Sequence, residues 1–200
     1  MYLTEKRIGM AGLLLAILLV GSACNKNESN NQSGSLVTIQ QMLAKGSDGT
    51  LGTYCASDVV TVVNDVSTVI QDSGQVQIRN APMNPDQSSS SAWMDVVINR
   101  YRVRYTRADG RNMEGEDVPW AYEESCTVTI PANGTAAFPF VLVRAVAKTE
   151  LPLIRLAEGP IGEAQIISTA TVDFYGHNLS GNSVTVTGTI GVHFANWADK

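Results

Sequence analysis

The sequence predicts an all-β chain folded as one antiparallel β-sandwich of about seven to nine strands. Three observations carry that prediction. Composition leans towards Val, Thr, Ser and Gly, with few long helix formers, which favours strands. Apolar residues recur with period two along several stretches, the pattern of strands that bury one face. Turn signals rich in Gly, Asn, Asp and Pro separate those stretches at short spacing.

The N-terminal segment is of another kind. Lys6 and Arg7 precede an apolar run from Ile8 through Val20. That run falls short of the roughly 20 apolar residues a membrane span needs, and it suits the apolar core of a secretory signal. Gly21, Ser22 and Ala23 then lead to Cys24. These residues resemble a bacterial lipobox, with Gly21 where Leu is commoner. The resemblance implies a signal peptide over residues 1–23, cleavage before Cys24, and acyl chains of the palmitate class on the Cys24 sulfur and its new amine. Three chains hold a protein far better than the single chain that binds only marginally. The alternative is an ordinary secretory signal followed by an unrelated cysteine. Asn25, where an Asp would retain the protein in an inner membrane, favours the outer membrane by the same analogy. Residues 25–35 contain no apolar residue, so residues 24–35 read as lipidated cysteine plus flexible tether. Residues 36–200 read as a single domain.

The chain without residues 1–23 has 177 residues, 12 Lys+Arg and 18 Asp+Glu, for a net charge of −6. That acidity argues against nucleic acid as a partner. The length suits one domain with a proper core.

Within the domain, Leu36 to Leu43 is the first strand and residues 45–50 are turn chemistry. Val59 to Val63 and Gln75 to Arg79 follow. Residues 80–92 form a long loop. Asp95 to Arg107 is the clearest strand, with Val97, Tyr101, Val103 and Tyr105 assigned to the core face and Arg100, Arg102 and Arg104 to the other. Cys126 to Ile130 leads into the turn Pro131-Ala132-Asn133-Gly134. Phe138, Phe140, Leu142 and Val146 share a face, and Pro139 marks an edge or a bulge. Residues 149–163 form a crossover that packs Leu153, Ile154 and Leu156 on the core. Ile166, Ala170, Val172 and Phe174 line one strand. Val184, Val186, Ile190, Val192 and Phe194 line the next, opposite the wet Thr185, Thr187 and Thr189.

The stretches DVVINRYRVRYTRADGRNMEGEDVPW, TVTIPANGTAAFPFVLVRAVAK and ATVDFYGHNLSGNSVTVTGTIGVHFANWAD resemble a group of uncharacterised bacterial lipoproteins. The resemblance spans residues 55–199. It implies an extracytoplasmic, immunoglobulin-like β-sandwich and transfers no catalytic residue. His177-Asn178 stands where the group leads one to expect an acidic residue, which counts against a metal site in that turn.

Cysteine usage leaves two readings. Outside the cytosol disulfides persist, and a Cys55–Cys126 bridge would close a loop of 72 residues, worth roughly 4 kcal/mol in the chain-entropy model. The alternative is two free thiols. The most suggestive surface feature is Arg100, Arg102 and Arg104, spaced about 7 Å apart along one strand face. Such a ridge suits phosphate or carboxylate groups of lipopolysaccharide, wall polymer or a partner protein. Its alternative is a charged outer face paired with Glu and Asp on adjacent strands. Glu114, Glu116 and Asp117 offer hard oxygen ligands for calcium or form a solvated loop. His177 and His193 lie too far apart along the last hairpin to share a metal. Trp93, Trp120 and Trp197 mark a contact patch or simply close the fold. No nucleophile motif, phosphate-binding glycine loop or metal signature occurs, so no enzyme activity, cofactor or metal is expected. The expected function is a membrane-anchored, non-enzymatic binding module for an envelope protein or glycan. The alternative is a structural accessory subunit of a larger envelope complex.

Overall fold

The computed structural model describes residues 34–46, 49–83, 91–157 and 164–197. The signal segment, Cys24 and all but the end of the tether lie outside these. The described strands are β1 (Ser35–Lys45), β2 (Leu51–Gly52), β3 (Tyr54–Asp58), β4 (Thr61–Val63), β5 (Val66–Thr68), β6 (Asp72–Pro82), β7 (Val96–Thr106), β8 (Tyr122–Ile130), β9 (Thr135–Val143), β10 (Gln165–Asn178) and β11 (Ser183–Ala195). A 3₁₀ turn (Ala92–Met94) and two single-turn helices, α1 (Ala145–Lys148) and α2 (Ile154–Ala157), complete the described elements. The chain is all-β.

Two sheets carry the fold, one in the order β2-β1-β6-β9 and one in the order β3-β11-β10-β7-β8. The hairpin β4–β5 stands apart, turning through Asn64 and Asp65 at φ 52° and 60°, as a two-residue type I′ turn requires. The inner faces meet through aromatic rings. Phe138 and Phe140 from β9 pack edge-on against Phe174 of β10, at 5.7 and 5.4 Å between centroids, and Phe140 also meets Tyr101 of β7 at 5.6 Å. Such pairs add about 0.5–1.5 kcal/mol each beyond area burial. The assigned core faces of β10 and β11 are buried, from Ile166 through Phe174 and from Val184 through Phe194.

β9 is an edge strand, consistent with Pro139 lying within it. Near its C-terminal end, backbone groups of Val141 and Leu142 are taken by tyrosines of the other sheet. Tyr105 donates to the Leu142 carbonyl at 2.6 Å and Tyr122 to that of Val141 at 2.7 Å, while Val141 N–H donates to the Tyr101 hydroxyl at 3.0 Å. Burial raises the pKa of all three phenols. They remain neutral and able to donate.

Several expectations are corrected. The sheets are not wholly antiparallel, because β3 runs parallel to β11, with Tyr54 opposite Gly191 and Asp58 opposite Ala195. The chain changes sheets between β1 and β3, so β3 joins the last strand in the same direction. Val97 leaves the core series. Ile98 pairs with Gly176 and Arg100 with Tyr175, so Asn99 is an extra residue that reverses the inside–outside parity of β7. Val146 is not in β9; it is half exposed on α1. Ile154 is also exposed, whereas Leu153 and Leu156 are buried.

Cys55 and Cys126 are not joined by a disulfide. They occupy β3 and β8, the opposite edges of the five-stranded sheet. Four strand spacings along the sheet are on the order of 19 Å, whereas a disulfide needs Cα atoms within about 7 Å. Cys55 is buried, and burial together with the nearby Glu124 raises the Cys126 pKa. Unfolded without reductant, the protein should therefore yield both cysteines as free thiols by alkylation and mass spectrometry. In the folded protein Cys55 should be protected and Cys126 slow to react at neutral pH. A Cys55–Cys126 linked peptide would refute this arrangement.

Gly176 is what the bulge requires. A Cβ there would lie 2.1 Å from the Val97 carbonyl oxygen and 2.9 Å from Ile98 Cα. Both are backbone atoms and cannot swing aside. Gly176→Val should destabilise the domain by about 3 kcal/mol or more, read from urea denaturation.

Candidate functional site

The outer face of the five-stranded sheet bears the arginine row. Its cross-strand neighbours are fixed by register: Arg102 lies opposite Glu123 of β8 and Asp173 of β10, and Asp173 opposite Thr187 of β11. The ion pairs run diagonally. Arg100 binds Glu123 at 2.8 Å, and Arg104 binds Asp173 at 2.7 Å. Asp173 also accepts from Thr187 Oγ1 at 2.7 Å. The Arg100 guanidinium lies 4.4 Å from the centre of the Tyr175 ring. Both carboxylates are thus engaged by the outer two arginines. Among the described residues Arg102 has no ion pair of its own. The face is charge-paired through Arg100 and Arg104, with the Arg102 guanidinium outside those two pairs.

Beside the row lies a shallow groove of about 370 Å³, lined by Asn99, Arg100, Tyr175, His177, Ser183 and Thr185 among others. It sits over the Asn99 bulge, where β7 and β10 fall out of step. Bulges commonly re-aim side chains beside binding sites. The groove offers amide, guanidinium, imidazole, phenol and hydroxyl groups, a set suited to hydroxyl-rich or anionic ligands.

A second polar cluster is buried at the other end of the strands, and the sequence offered no sign of it. Lys148, the last residue of α1, is 2 % exposed. Its Nζ pairs with Asp72 Oδ2 at 2.9 Å and donates to the Asp58 carbonyl at 2.7 Å. Ser57 Oγ donates to the same Asp72 oxygen at 2.6 Å. Asp58 accepts from Thr61 Oγ1 at 3.0 Å and from Trp197 N–H at 3.0 Å. Burial pushes the Asp72 carboxyl above its ordinary range, and Lys148 and Ser57 pull it only part of the way back. A cleft of about 240 Å³ reaches this cluster past Lys45, Thr61, Ile70 and Gln71. Ser57 is fully buried and the Lys148 ammonium is committed to two acceptors. The arrangement is a lock joining α1 to β3 and β6 rather than a nucleophile with its base.

The remaining sequence candidates are dispersed. Arg107 and Arg111 both bind Asp109, at 2.6 and 2.8 Å, and hold its carboxyl well below the usual range. Asp117 accepts from Met113 N–H at 3.1 Å, and among the described residues no three His, Cys, Asp or Glu side chains converge on a metal position. His177 and His193 stand ten residues apart across β11, opposite Ser183 and Ile167. No described helix is long and apolar enough to cross a membrane.

No family model and no curated protein matches the chain. Among solved structures it is similar to a protein from Archaeoglobus fulgidus, with 10% identity over 80% of this chain and 99% of that one, at a TM-score of 0.43. It is also similar to a late embryogenesis abundant (LEA) protein, with 11% identity over 94% and 85%, at a TM-score of 0.39. Likeness at that level carries no assignment of activity.

The buried pair generates a prediction. Lys148→Met would strand the Asp72 carboxylate and should cost about 3–5 kcal/mol at neutral pH. A raised Asp72 pKa means that the folded state keeps a proton the unfolded chain has lost, so its contribution to stability falls as pH rises from about 4 through the folded value. The Lys148→Met penalty should therefore be smaller at pH 4 than at pH 7 in urea melts. The double variant Asp72→Leu/Lys148→Met should recover much of the loss.

Proposed function

We propose that the chain is a lipid-anchored extracytoplasmic lipoprotein whose outer sheet face binds an acidic envelope component. The observation that carries this reading is the count on that face: three guanidinium groups, Arg100, Arg102 and Arg104, for two carboxylates, beside a polar groove. In a chain of net charge −6 after cleavage, an uncompensated cation on a flat strand face is a recognition feature. The ligand class is a phosphorylated or carboxylated glycan of the envelope. Attachment runs through acyl chains on Cys24, by the lipobox resemblance, with the outer membrane as the favoured location. The domain is immunoglobulin-like in layout. In support, β1, β6 and β9 lie side by side like A, B and E of that fold, and β7, β10 and β11 like C, F and G. It departs from antibody domains in having no cysteine in β6 or β10.

A second reading, an accessory subunit of a larger envelope complex, is favoured by exposed apolar residues around the two helices: Val146, Leu151 and Ile154. Cross-linking in native membranes separates the two, since an accessory role calls for one dominant protein partner at near-equal amounts.

The binding face is tested with Arg102→Gln, which leaves both ion pairs intact. Affinity for purified lipopolysaccharide or phosphorylated wall polymer, measured by calorimetry, should fall about five- to tenfold. Unchanged affinity, or no binding by the parent protein, would remove the ridge as a site. The anchor is tested separately by growth with a palmitate analogue. The Cys24 peptide should carry the label, and Cys24→Ala should release the protein from membranes.

A further inference from the structure

Among the described residues, one end of the molecule is almost bare of charge. Described residues 34–36, 81–83, 91–95, 131–134 and 178–183 include one charged side chain, Asp95, and its Oδ1 accepts from Ala132 N–H at 2.7 Å. Large apolar side chains are exposed there instead: Trp93 at 67 %, Leu36 at 53 %, and Met83 and Leu179 at 46 % each. Their segments are tied together. Ser180 Oγ donates to the Trp93 carbonyl at 3.3 Å, and Leu179 N–H to that of Asp95 at 3.1 Å. The first described residues belong to the same end: Met83 N–H donates to the Gly34 carbonyl at 3.0 Å, and Ser35 Oγ to the Met94 carbonyl at 3.3 Å. The opposite end of the strands holds Asp58, Asp72, Lys148 and the Arg107–Asp109–Arg111 turn. The chain leading back to Cys24 therefore enters the fold at its sparsely charged, apolar end.

We propose that this end docks on the bilayer surface, with Trp93, Leu36, Met83 and Leu179 entering the boundary between headgroups and acyl chains. The proposal rests on the reading of Cys24 as the anchor. The ten residues from Cys24 to Gly34 reach at most about 35 Å when fully extended, so this end cannot stray far from the lipid that holds the chain. Tryptophan is the side chain most at home in that interfacial layer, apolar in body with one polar edge. Without Lys or Arg in the patch, docking needs no anionic lipid and is insensitive to salt.

The test uses the full, acylated protein reconstituted into phosphatidylcholine vesicles, with and without brominated acyl chains that quench tryptophan on contact. The parent should be quenched and Trp93→Phe should not, so that roughly the whole difference between the two proteins vanishes on brominated lipid. The difference should persist between low and high salt. Equal quenching of the two proteins, or a difference that salt abolishes, overturns the docking surface while leaving the anchor standing. Mass spectrometry of the Cys24 peptide reads the anchor independently. A Cys24 without lipid overturns the anchor and this docking proposal together.

Discussion

The constraint on which the rest of the domain depends is the burial of Lys148. An ammonium group taken out of water costs several kcal/mol unless a counter-ion and acceptors wait for it. Here Asp72 and the Asp58 carbonyl wait, at 2.9 and 2.7 Å. To bring them together, the chain must turn sharply after β9, seat α1 over that end of the two sheets, and bring the ends of β3 and β6 to the same point. Asp58 in turn holds Trp197 N–H, so the segment beyond β11 is fastened to the same knot. One buried cation thus fixes four separate stretches of chain. Hydrophobic residues of equal volume would fill the space as well, but would not select these partners so strictly.

The tyrosine seal addresses a different hazard. An edge strand invites pairing with another chain, and β9 is such an edge. Tyr101, Tyr105 and Tyr122 bond backbone groups of its Val141 and Leu142, while Pro139 removes one donor altogether. Glu124 accepts from the Tyr101 hydroxyl at 2.7 Å, which orients that ring and leaves its oxygen lone pair for Val141. The seal therefore does two jobs, tying the two sheets together along one side and blunting the edge of β9.

Most strands were legible because alternation survives wherever one face is buried. β10 and β11 show this, each with a core face and a threonine-rich outer face. The failures share a physical cause, which is that the decisive contact is remote or the period breaks. Val146 continues the apolar rhythm of β9 by spacing alone, yet the chain has already turned into α1, because Lys148 has a partner 76 residues away that no local pattern announces. Val97 keeps the period of the β7 core residues in sequence but not in space, because Asn99 shifts the register, and a bulge of one residue leaves no mark in composition. Parallel pairing of β3 with β11 was invisible for the same reason that the Cys55–Cys126 bridge was plausible: sequence separation says nothing about which edge of a sheet a strand joins. The arginine row was legible, since three arginines at period two can only share a face. Its pairing pattern was not, because Glu123 and Asp173 come from two different strands.

The distribution of charge along the strands also bears on where a ligand would be met. The groove is lined by Tyr175, His177, Ser183 and Thr185. On β11, Ser183 is the first residue at the sparsely charged end. Tyr175 lies opposite Thr185, two residues further in, or about 7 Å. Arg102 is one outward-facing position beyond Arg100 on β7. If the sparsely charged end rests on lipid, the groove opens within a headgroup's length of the bilayer and the leftover guanidinium stands just above it. A soluble ligand would gain nothing from that placement. A phosphorylated glycan carried on a lipid would meet the groove without leaving its own membrane, and its encounter would be confined to two dimensions by the anchors on both partners. The charged lock at the far end faces away from this surface. It serves the fold, and the proposed lipid contact and ligand face both lie away from it.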